Sequence, residues 1–237
     1  MPSLKDKTVL IIGRGSGIAR AIALAVSEDG GRIIAAGRHP DAIADAYRGM
    51  DIGIEHVDVT DESSIAALAG RIAKLDHVVS AASARARGGY RDLTASLVNA
   101  SFGTKVTGAL LLAKHFAANL PSDGSFLFMS GATALKPAQG MLAVAATNAA
   151  VDAITAGLAV ELAPIRVNAI APGTIDTGAY DALGDERKAA LFTARSAANP
   201  ARRIGTADDI AAAAVMALTN GFLTGVSIPV DGGEHLV

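Results

Sequence analysis

The sequence has no cysteine among its 237 residues, and it has no excess of positive charge. The missing cysteine excludes disulfide bonds, thiolate catalysis and zinc sites built from thiolates. Lysine and arginine number 21 against 23 aspartate and glutamate, which gives a formal net charge of -2. Because no basic stripe or basic amphipathic helix is present either, we expect no nucleic-acid partner and no binding to a membrane surface.

Long apolar runs are also missing. No uninterrupted run reaches the roughly 18 residues that a membrane helix needs, and residues 1–7 lack the pattern of a signal peptide. No interdomain linker, repeat or low-complexity segment is visible. We therefore expect a single cytoplasmic domain over residues 1–237, a length that suits one α/β domain. The hydrophobic share of 51% exceeds what a small monomer needs and favours a homo-oligomer.

A glycine cluster follows the first apolar run, residues 8–12, and a helical pattern follows the cluster to about residue 29. The pattern predicts a strand, a tight turn and a helix. Glycines let the backbone approach a pyrophosphate, and the free N–H groups at the helix start bind it. The alternative is a glycine-rich turn without a ligand. The candidate cofactor-binding residues here are Gly13, Arg14, Ser16, Gly17 and Ile18.

The second predicted strand, residues 31–38, ends in Gly37 and Arg38 where a carboxylate would select NAD. A guanidinium can hold the 2′-phosphate of NADP(H), and no carboxylate at this strand end repels it. We therefore predict NADP(H) as the cofactor. Arg14, inside the glycine turn, would add a second charge near the same phosphate. For both arginines the alternative is a solvated surface charge.

Further apolar runs at residues 52–59, 75–80, 124–130, 165–170 and 226–230 alternate with helical patterns. This alternation predicts an α/β fold with one doubly wound parallel sheet of about seven strands. Ligands of such sheets bind at the carboxyl ends of the strands. Asp58 either accepts from an adenine amino group or charges the start of the helix that begins at Asp61. The strand-end candidates are Asp58, Val59, Ala81, Ala82, Ser83, Ser130, Pro172 and Gly173.

The remaining segments are helical or weakly patterned. Apolar spacing predicts one long helix over residues 92–119, which contains Lys105, and another over residues 141–163. Residues 178–203 mix charges, glycine and proline, which suits either a mobile substrate lid or an ordinary pair of surface helices. Thr206 is predicted to cap a helix over residues 207–218.

Four motifs resemble the short-chain dehydrogenase/reductase family along nearly the whole chain. They are Gly13-x-x-x-Gly17-Ile18-Ala19, Asp58-Val59-Thr60, Arg166-Val167-Asn168-x-Ile170-x-Pro172-Gly173-x-x-x-Thr177, and Leu223-Thr224-Gly225 leading to Val230-Asp231-Gly232-Gly233. The resemblance implies a Rossmann domain, a nicotinamide cofactor and a dimer or tetramer packed through two long helices and the C-terminal region. It also implies that Thr177 and the backbone near Ile175 approach the nicotinamide carboxamide.

The catalytic positions depart from that family. Its usual Tyr-x-x-x-Lys pair falls on Val144 and Asn148, and its usual serine falls on Ser130 or Gly131. Its usual helical asparagine falls on Lys105. Valine cannot donate a proton, whereas an amide can still hydrogen-bond a ribose, so Asn148 remains a cofactor-binding candidate. No metal site is expected.

Three functional hypotheses remain open. The first is an NADP(H)-dependent reductase of a small carbonyl or alcohol substrate, with Lys105 as the substitute acid and Ser130 orienting the carbonyl; Tyr90 and Tyr180 are the alternative acids. Burial would make Lys105 release its proton more readily. The second is a non-catalytic NADP(H)-binding sensor or regulatory protein. The third is a structural partner that binds no nucleotide, which the glycine turn and Arg38 disfavour.

Overall fold

A computed structural model describes residues 3–237. The strands are β1 Thr8–Ile12, β2 Arg32–Gly37, β3 Gly53–His56, β4 His77–Ser80, β5 Ser125–Met129, β6 Arg166–Pro172, β7 Ile175–Asp176, β8 Gly205–Thr206 and β9 Ser227–Val230. The helices are α1 Gly17–Glu28, α2 Pro40–Ala46, α3 Glu62–Arg71, α4 Ala95–Phe102, α5 Gly108–Phe116, α6 Leu142–Glu161, α7 Asp185–Ala198 and α8 Ala207–Thr219.

The main sheet has seven parallel strands in the order β3-β2-β1-β4-β5-β6-β9. The chain runs outward from β1 to β3 and then returns to β4 on the other side of β1. This reversal opens a crevice between the carboxyl ends of β1 and β4, where doubly wound sheets bind their ligands. The predicted α/β fold with a doubly wound parallel sheet of about seven strands is confirmed.

Apolar side chains cover both faces of the sheet, because neighbouring residues of a strand point to opposite sides. In β1, Val9 and Ile11 face one hydrophobic cluster while Leu10 and Ile12 face the other. Helices α1 and α8 pack side by side over the first face. Helices α3, α5 and α6 cover the second. The strands are packed between the two hydrophobic clusters. The candidate site residues at their carboxyl ends are therefore held by a well-packed sheet.

Two sequence-based boundaries were wrong. Strand β3 ends at His56, two residues before Asp58, because Asp58 turns the chain through bonds to Thr60. The helix predicted over residues 92–119 is interrupted: a π-helical turn, Gly103–Thr107, separates α4 from α5. Glycines stand at both ends of the interruption, and a Cβ at Gly108 would lie 3.0 Å from the carbonyl oxygen of Val59. Helix α5 thus approaches the end of β3 closely. Lys105 lies in the π-helical turn.

The segment 178–203 contains one well-formed helix, α7, of which no residue is buried. A short ribbon of β7 and β8 closes its base, with Ile175 paired to Gly205 and Asp176 to Thr206. Lys188 of α7 binds both Asp176 and Asp181 at 3.0 and 2.7 Å. The segment 178–203 is therefore a mainly helical insertion beside the carboxyl ends of the strands.

Two other helix predictions can be compared with the structure. Thr206 does cap α8, with Asp209 completing a reciprocal capping box. Helix α6 is long and apolar enough to cross a membrane by length and composition, a test that core helices of water-soluble proteins also pass. In this fold α6 packs against β6 and the π-helical turn, and it buries the polar residues Thr147, Asn148 and Thr155.

Candidate active site and cofactor cleft

The glycine turn between β1 and α1 is shaped by close contacts. Gly17 has φ of +56°, a left-handed conformation that favours glycine. A Cβ at Gly17 would lie 3.2 Å from the Cβ of Thr177, which brings the end of the β6 loop against the turn. A Cβ at Gly13 would lie 2.8 Å from the Cβ of Ala19. The turn therefore packs tightly against α1 and against the residue expected near the nicotinamide.

The start of α1 fits an anionic group. Ser16 precedes the helix with an extended backbone, and its side chain makes no capping hydrogen bond. No acidic residue lies in the first turn of α1. The first N–H groups of the helix thus have no side-chain acceptor from Ser16, and the helix dipole favours a negative charge at this point. Arg14 and Ser16 are exposed and Ile18 is half-buried beside this helix start.

Arg38 lies one residue beyond β2, next to the glycine turn. Gly37 makes this possible, since a Cβ there would lie 2.5 Å from the carbonyl oxygen of Gly13. Arg38 is exposed. Its charge contributes to the lowered pKa of the Asp58 carboxyl, whose largest cause is the hydrogen bond from the Thr60 amide. Arg38 and Asp58 therefore lie on the same part of the sheet edge.

The other strand-end candidates lie along the same edge, but several offer only backbone atoms. The side chains of Val59 and Ile175 are buried in the two hydrophobic clusters. Gly173 packs against the chain end, where a Cβ would lie 2.6 Å from the Cβ of Asp231. Ala81 and Ala82 follow β4 half-buried, while Ser83 is exposed. The structure thus brings the candidates after β1, β2, β3, β4 and β6 to one edge.

Lys105 is the most unusual residue at this edge, because it is a buried lysine. Only 9% of its surface is exposed. Its Nζ donates to the main-chain carbonyl oxygen of Ser130 at 3.1 Å and to Oδ1 of Asn148. An ammonium has three protons to donate, so two are directed at these oxygens and a third remains for a ligand.

Burial lowers the pKa of Lys105 to about 7. Loss of hydration is the largest cause, and the positive charge of Arg85 lowers the pKa further. The Asp152 carboxylate opposes both effects. Among the described residues, Oδ1 of Asp152 is buried without a hydrogen-bond partner. Lys105 is therefore poised to gain and lose a proton near neutral pH.

Asn148 is the residue that holds Lys105. It is 3% exposed, and its Nδ2 donates to Oγ1 of Thr133 at 2.8 Å while its Oδ1 accepts from Lys105. The side chain occupies space that Gly131 leaves free, because a Cβ at Gly131 would lie 2.5 Å from Nδ2 of Asn148. One Nδ2 proton is used in the bond to Thr133, and the second proton is left for the expected hydrogen bond to a cofactor ribose.

Ser130 contributes through its backbone. Its Oγ donates to the main-chain carbonyl oxygen of Asn148 at 3.1 Å, and the residue is 6% exposed. The hydroxyl proton is therefore directed into α6 and away from the cleft, which conflicts with the expected orientation of a substrate carbonyl by Ser130. The carbonyl oxygen of Ser130 faces Lys105 instead.

Neither tyrosine considered as an alternative acid reaches Lys105 by a hydrogen bond among the described residues. Tyr90 is 69% exposed, under the guanidinium of Arg91. Tyr180 packs edge-on against Phe192, with the Cζ of Arg87 5.7 Å from its ring centroid. Val144, at the expected tyrosine position, is 5% exposed in the first turn of α6.

Four residues of this site escaped the sequence reasoning: Thr133, Asp152, Arg85 and Arg87. Thr133 lies in a short turn after β5, and Asp152 lies one helical turn beyond Asn148. Only contacts across the fold single them out. The two glycines at 103 and 108 were a visible signal, because glycine inside a helical pattern often marks a packing or functional need, and π-helical turns recur at functional sites.

Known proteins resemble this chain over nearly its whole length. The family model described as enoyl-(acyl carrier protein) reductase matches residues 12–235. An uncharacterised oxidoreductase of Mycobacterium tuberculosis is 32% identical, with 97% of this chain and 92% of that protein covered. A short-chain dehydrogenase/reductase of an Acremonium species is 29% identical, with 98% and 96% covered.

Solved structures give the same result. A small-chain dehydrogenase in complex with NADPH superimposes with a TM-score of 0.87 at 32% identity, over 98% of this chain and all of the other. The MalC reductase/Diels-Alderase from Malbranchea aurantiaca superimposes with a TM-score of 0.89 at 28% identity, over 99% and 98% of the two chains. Fold, family model and relatives agree that this chain belongs to the short-chain dehydrogenase/reductase family of nicotinamide-dependent oxidoreductases.

Proposed function

We propose that the protein is an NADP(H)-dependent oxidoreductase that interconverts a small carbonyl compound and its alcohol, with Lys105 as the proton donor. One observation carries this proposal. The Lys105 ammonium is buried at the edge where the cofactor candidates meet, and its pKa is lowered to about 7. A general acid works best when its pKa lies near the working pH.

Two features support NADP(H) over NAD(H). Arg38 stands at the end of β2 with its charge exposed, and the solved small-chain dehydrogenase that this fold resembles was crystallised with NADPH. Gly13, Arg14, Ser16, Gly17 and Ile18 would hold the pyrophosphate. Asp58, Val59, Ala81, Ala82 and Ser83 would line the adenosine and ribose positions, and Pro172, Gly173, Ile175 and Thr177 the nicotinamide end.

The roles around the reacting carbonyl follow from the contacts of Lys105. A bound nicotinamide would supply the hydride for the carbonyl carbon. The oxygen that becomes negative then takes a proton from the Lys105 ammonium, which becomes a neutral amine and regains its proton from water. Asn148 and the Ser130 carbonyl oxygen hold Nζ in place through two acceptors. We therefore propose Asn148 and Ser130 as positioning residues.

We propose that the segment 178–203 is a substrate lid and that exposed apolar helix residues form an oligomer interface. Helix α7 stands beside the strand ends without a buried residue, as a substrate lid would. Leu97 and Leu110 on α4 and α5, and Leu142 on α6, are exposed. These apolar positions support a homodimer or homotetramer that covers them.

A second candidate function is a non-catalytic NADP(H)-binding sensor or regulatory protein. The observation in its favour is the direction of the Ser130 hydroxyl, which points into α6 and leaves no serine hydroxyl at the expected place. Together with the buried Val144, this leaves the cleft without either neutral hydroxyl that the family resemblance implies.

One experiment decides between the two functions. The purified protein is titrated with NADPH and NADH while nicotinamide fluorescence is followed, and a panel of aldehydes, ketones and quinones is then added. We expect tighter binding of NADPH and its oxidation by a panel member. Tight NADPH binding without oxidation favours the sensor, and no NADPH binding contradicts both functions.

A further inference from the structure

Arg85 and Arg87, in the loop after β4, have no role in the proposed proton transfer. Arg48, Arg71, Arg195 and Arg203 each form an ion pair with a carboxylate. Over residues 3–237, Arg85 and Arg87 form no ion pair with any carboxylate. The nearby Asp92 carboxylate accepts from the amide of Gly89 instead. Neither guanidinium charge is therefore neutralised by a direct ion pair.

The loop that carries them is held firmly. Ser101, fully buried in α4, donates its hydroxyl to the Ala84 carbonyl oxygen at 2.8 Å. Ala86 is 1% exposed, and the amide of Arg87 donates to the carbonyl oxygen of Arg85 at 3.0 Å. This three-residue turn keeps the arginines close together around a buried centre. The amide of Gly88 then bonds the carbonyl oxygen of Gly140 at 2.9 Å.

The loop that carries the two arginines contacts both α4, which precedes the π-helical turn of Lys105, and the segment 178–203 that contains α7. Arg85 follows Ala84, whose carbonyl oxygen is bonded to Ser101, four residues before Lys105. At this position its positive charge lowers the pKa of Lys105, after loss of hydration as the largest cause. Arg87 lies over the Tyr180 ring, which packs against Phe192 of α7 at 5.5 Å between ring centroids. A molecule whose carbonyl reaches Lys105 would therefore pass both guanidinium groups.

Placing like charges side by side without a counter-charge is unfavourable. The pKa of Arg85 is lowered, first by loss of hydration and then by the charge of Arg87. A bound anion would relieve this repulsion, and a guanidinium recognises a planar carboxylate with two parallel hydrogen bonds. The fixed loop backbone reduces the entropy lost when such a ligand binds.

We propose that the substrate is an anionic carbonyl compound, whose acidic group is held by Arg85 and Arg87 while its carbonyl lies at Lys105. This inference rests on the proposed function, because it names the substrate class of the same cleft. It assigns Arg85 and Arg87 as specificity-determining residues.

The test compares two aldehydes of one shape and different charge, 3-carboxybenzaldehyde and 3-carbamoylbenzaldehyde. Their binding is measured by calorimetry to the protein alone and in the presence of NADP⁺, which cannot deliver a hydride. We expect the carboxylate to bind at least about tenfold more tightly, since a hydrogen bond to a charged group is worth about 1.5–3 kcal/mol. Arg85→Gln and Arg87→Gln should each reduce this preference severalfold.

Lys74→Gln is the matched control. Lys74 is exposed before the start of β4, at the amino edge of the sheet, and its substitution removes the same charge. Equal binding of the two aldehydes to the wild-type protein, or an unchanged preference in both arginine variants, overturns the proposal. Because binding is read without hydride transfer, a protein that prefers the carboxylate and never oxidises NADPH contradicts the proposed function and leaves the anion site supported.

Discussion

The two halves of the carboxyl edge of the sheet differ in the kind of interaction that they offer to a ligand. Around β1 and β2 lie the glycine turn, the uncapped start of α1 and the exposed Arg38. We propose that they bind the dinucleotide by backbone shape and one positive charge. Around β4, β5 and α6, the site depends on a buried lysine whose neighbours are Asn148 and the Ser130 carbonyl oxygen. The first half needs no particular pKa, whereas the second depends on one.

The difference predicts that cofactor binding and proton transfer can be changed independently. Gly131 and Asn148 fit each other, since the missing side chain of the glycine makes room for the amide. Asn148 and Lys105 fit each other through a hydrogen bond. Residues coupled in this way must change together, because a lone change leaves a clash or an unpaired buried charge. In the cofactor half the close fits at Gly13, Gly17 and Gly37 involve backbone atoms and small side chains, and no buried charge.

Among the variants that test this comparison, we expect Lys105→Met to have the largest effect on the reaction rate. Removing a general acid costs about 10²–10⁴ in rate, while NADPH affinity should change by less than about threefold, because the cofactor candidates around β1 and β2 stay intact. Rates are measured as NADPH oxidation in a single turnover with a substrate found in the panel. Lys114→Met, at an exposed ion pair on α5, is the control. A rate within about threefold of wild type would exclude Lys105 as the acid.

The pH dependence comes next in size. Lys105 loses its proton with a pKa of about 7, so kcat should fall by about tenfold for each pH unit above that value. Stability should move the other way. The unfolded lysine keeps its proton up to its ordinary pKa of 10.5, so the unfolded chain binds more protons between pH 7 and 10.5 and the free energy of unfolding rises with pH in that window.

Both pH effects should disappear in Lys105→Met. Rate profiles and urea unfolding at several pH values give the two measurements on the same variant. An unchanged fall of kcat in that variant would assign the titration to another group.

Arg38→Ala should change cofactor affinity, since Arg38 lies in the half of the edge around β1 and β2. We expect NADPH affinity to fall by about 10–100-fold, the value of a hydrogen bond between charged groups, and NADH affinity to stay nearly constant. Cofactor titrations by fluorescence measure both. Arg48→Ala, which breaks an exposed ion pair on α2, should leave both affinities unchanged. Equal losses for NADPH and NADH in Arg38→Ala would refute a contact with the 2′-phosphate.

The smallest effect is expected from Thr133→Val. The substitution keeps the shape and removes the acceptor of the Asn148 amide, which costs about 1 kcal/mol and loosens the hold on Lys105. We expect kcat to fall severalfold and the pKa seen in its pH profile to move, with KM for NADPH unchanged. Thr219→Val, at the end of α8, should change stability without changing the profile.

Local patterns in the sequence predicted much of the fold. The alternation of apolar runs and helical patterns predicted the parallel sheet, and Thr206 with the acidic residues after it predicted the start of α8. These features depend on neighbours a few residues apart. The interruption of the long helix was missed because apolar spacing alone does not distinguish an α-helix from one that contains a single π-helical turn.

The composition and motifs by themselves determined the fold class, the family resemblance, the glycine turn and the positive charge that favours NADP(H). The resemblance also implied that Lys105 stands at the position of the family's usual asparagine. Only the tertiary structure decided what that lysine does, because its pKa depends on loss of hydration and on Arg85, which lies 20 positions earlier in the chain. Burial and charge proximity are properties of packed elements, and no local pattern contains them.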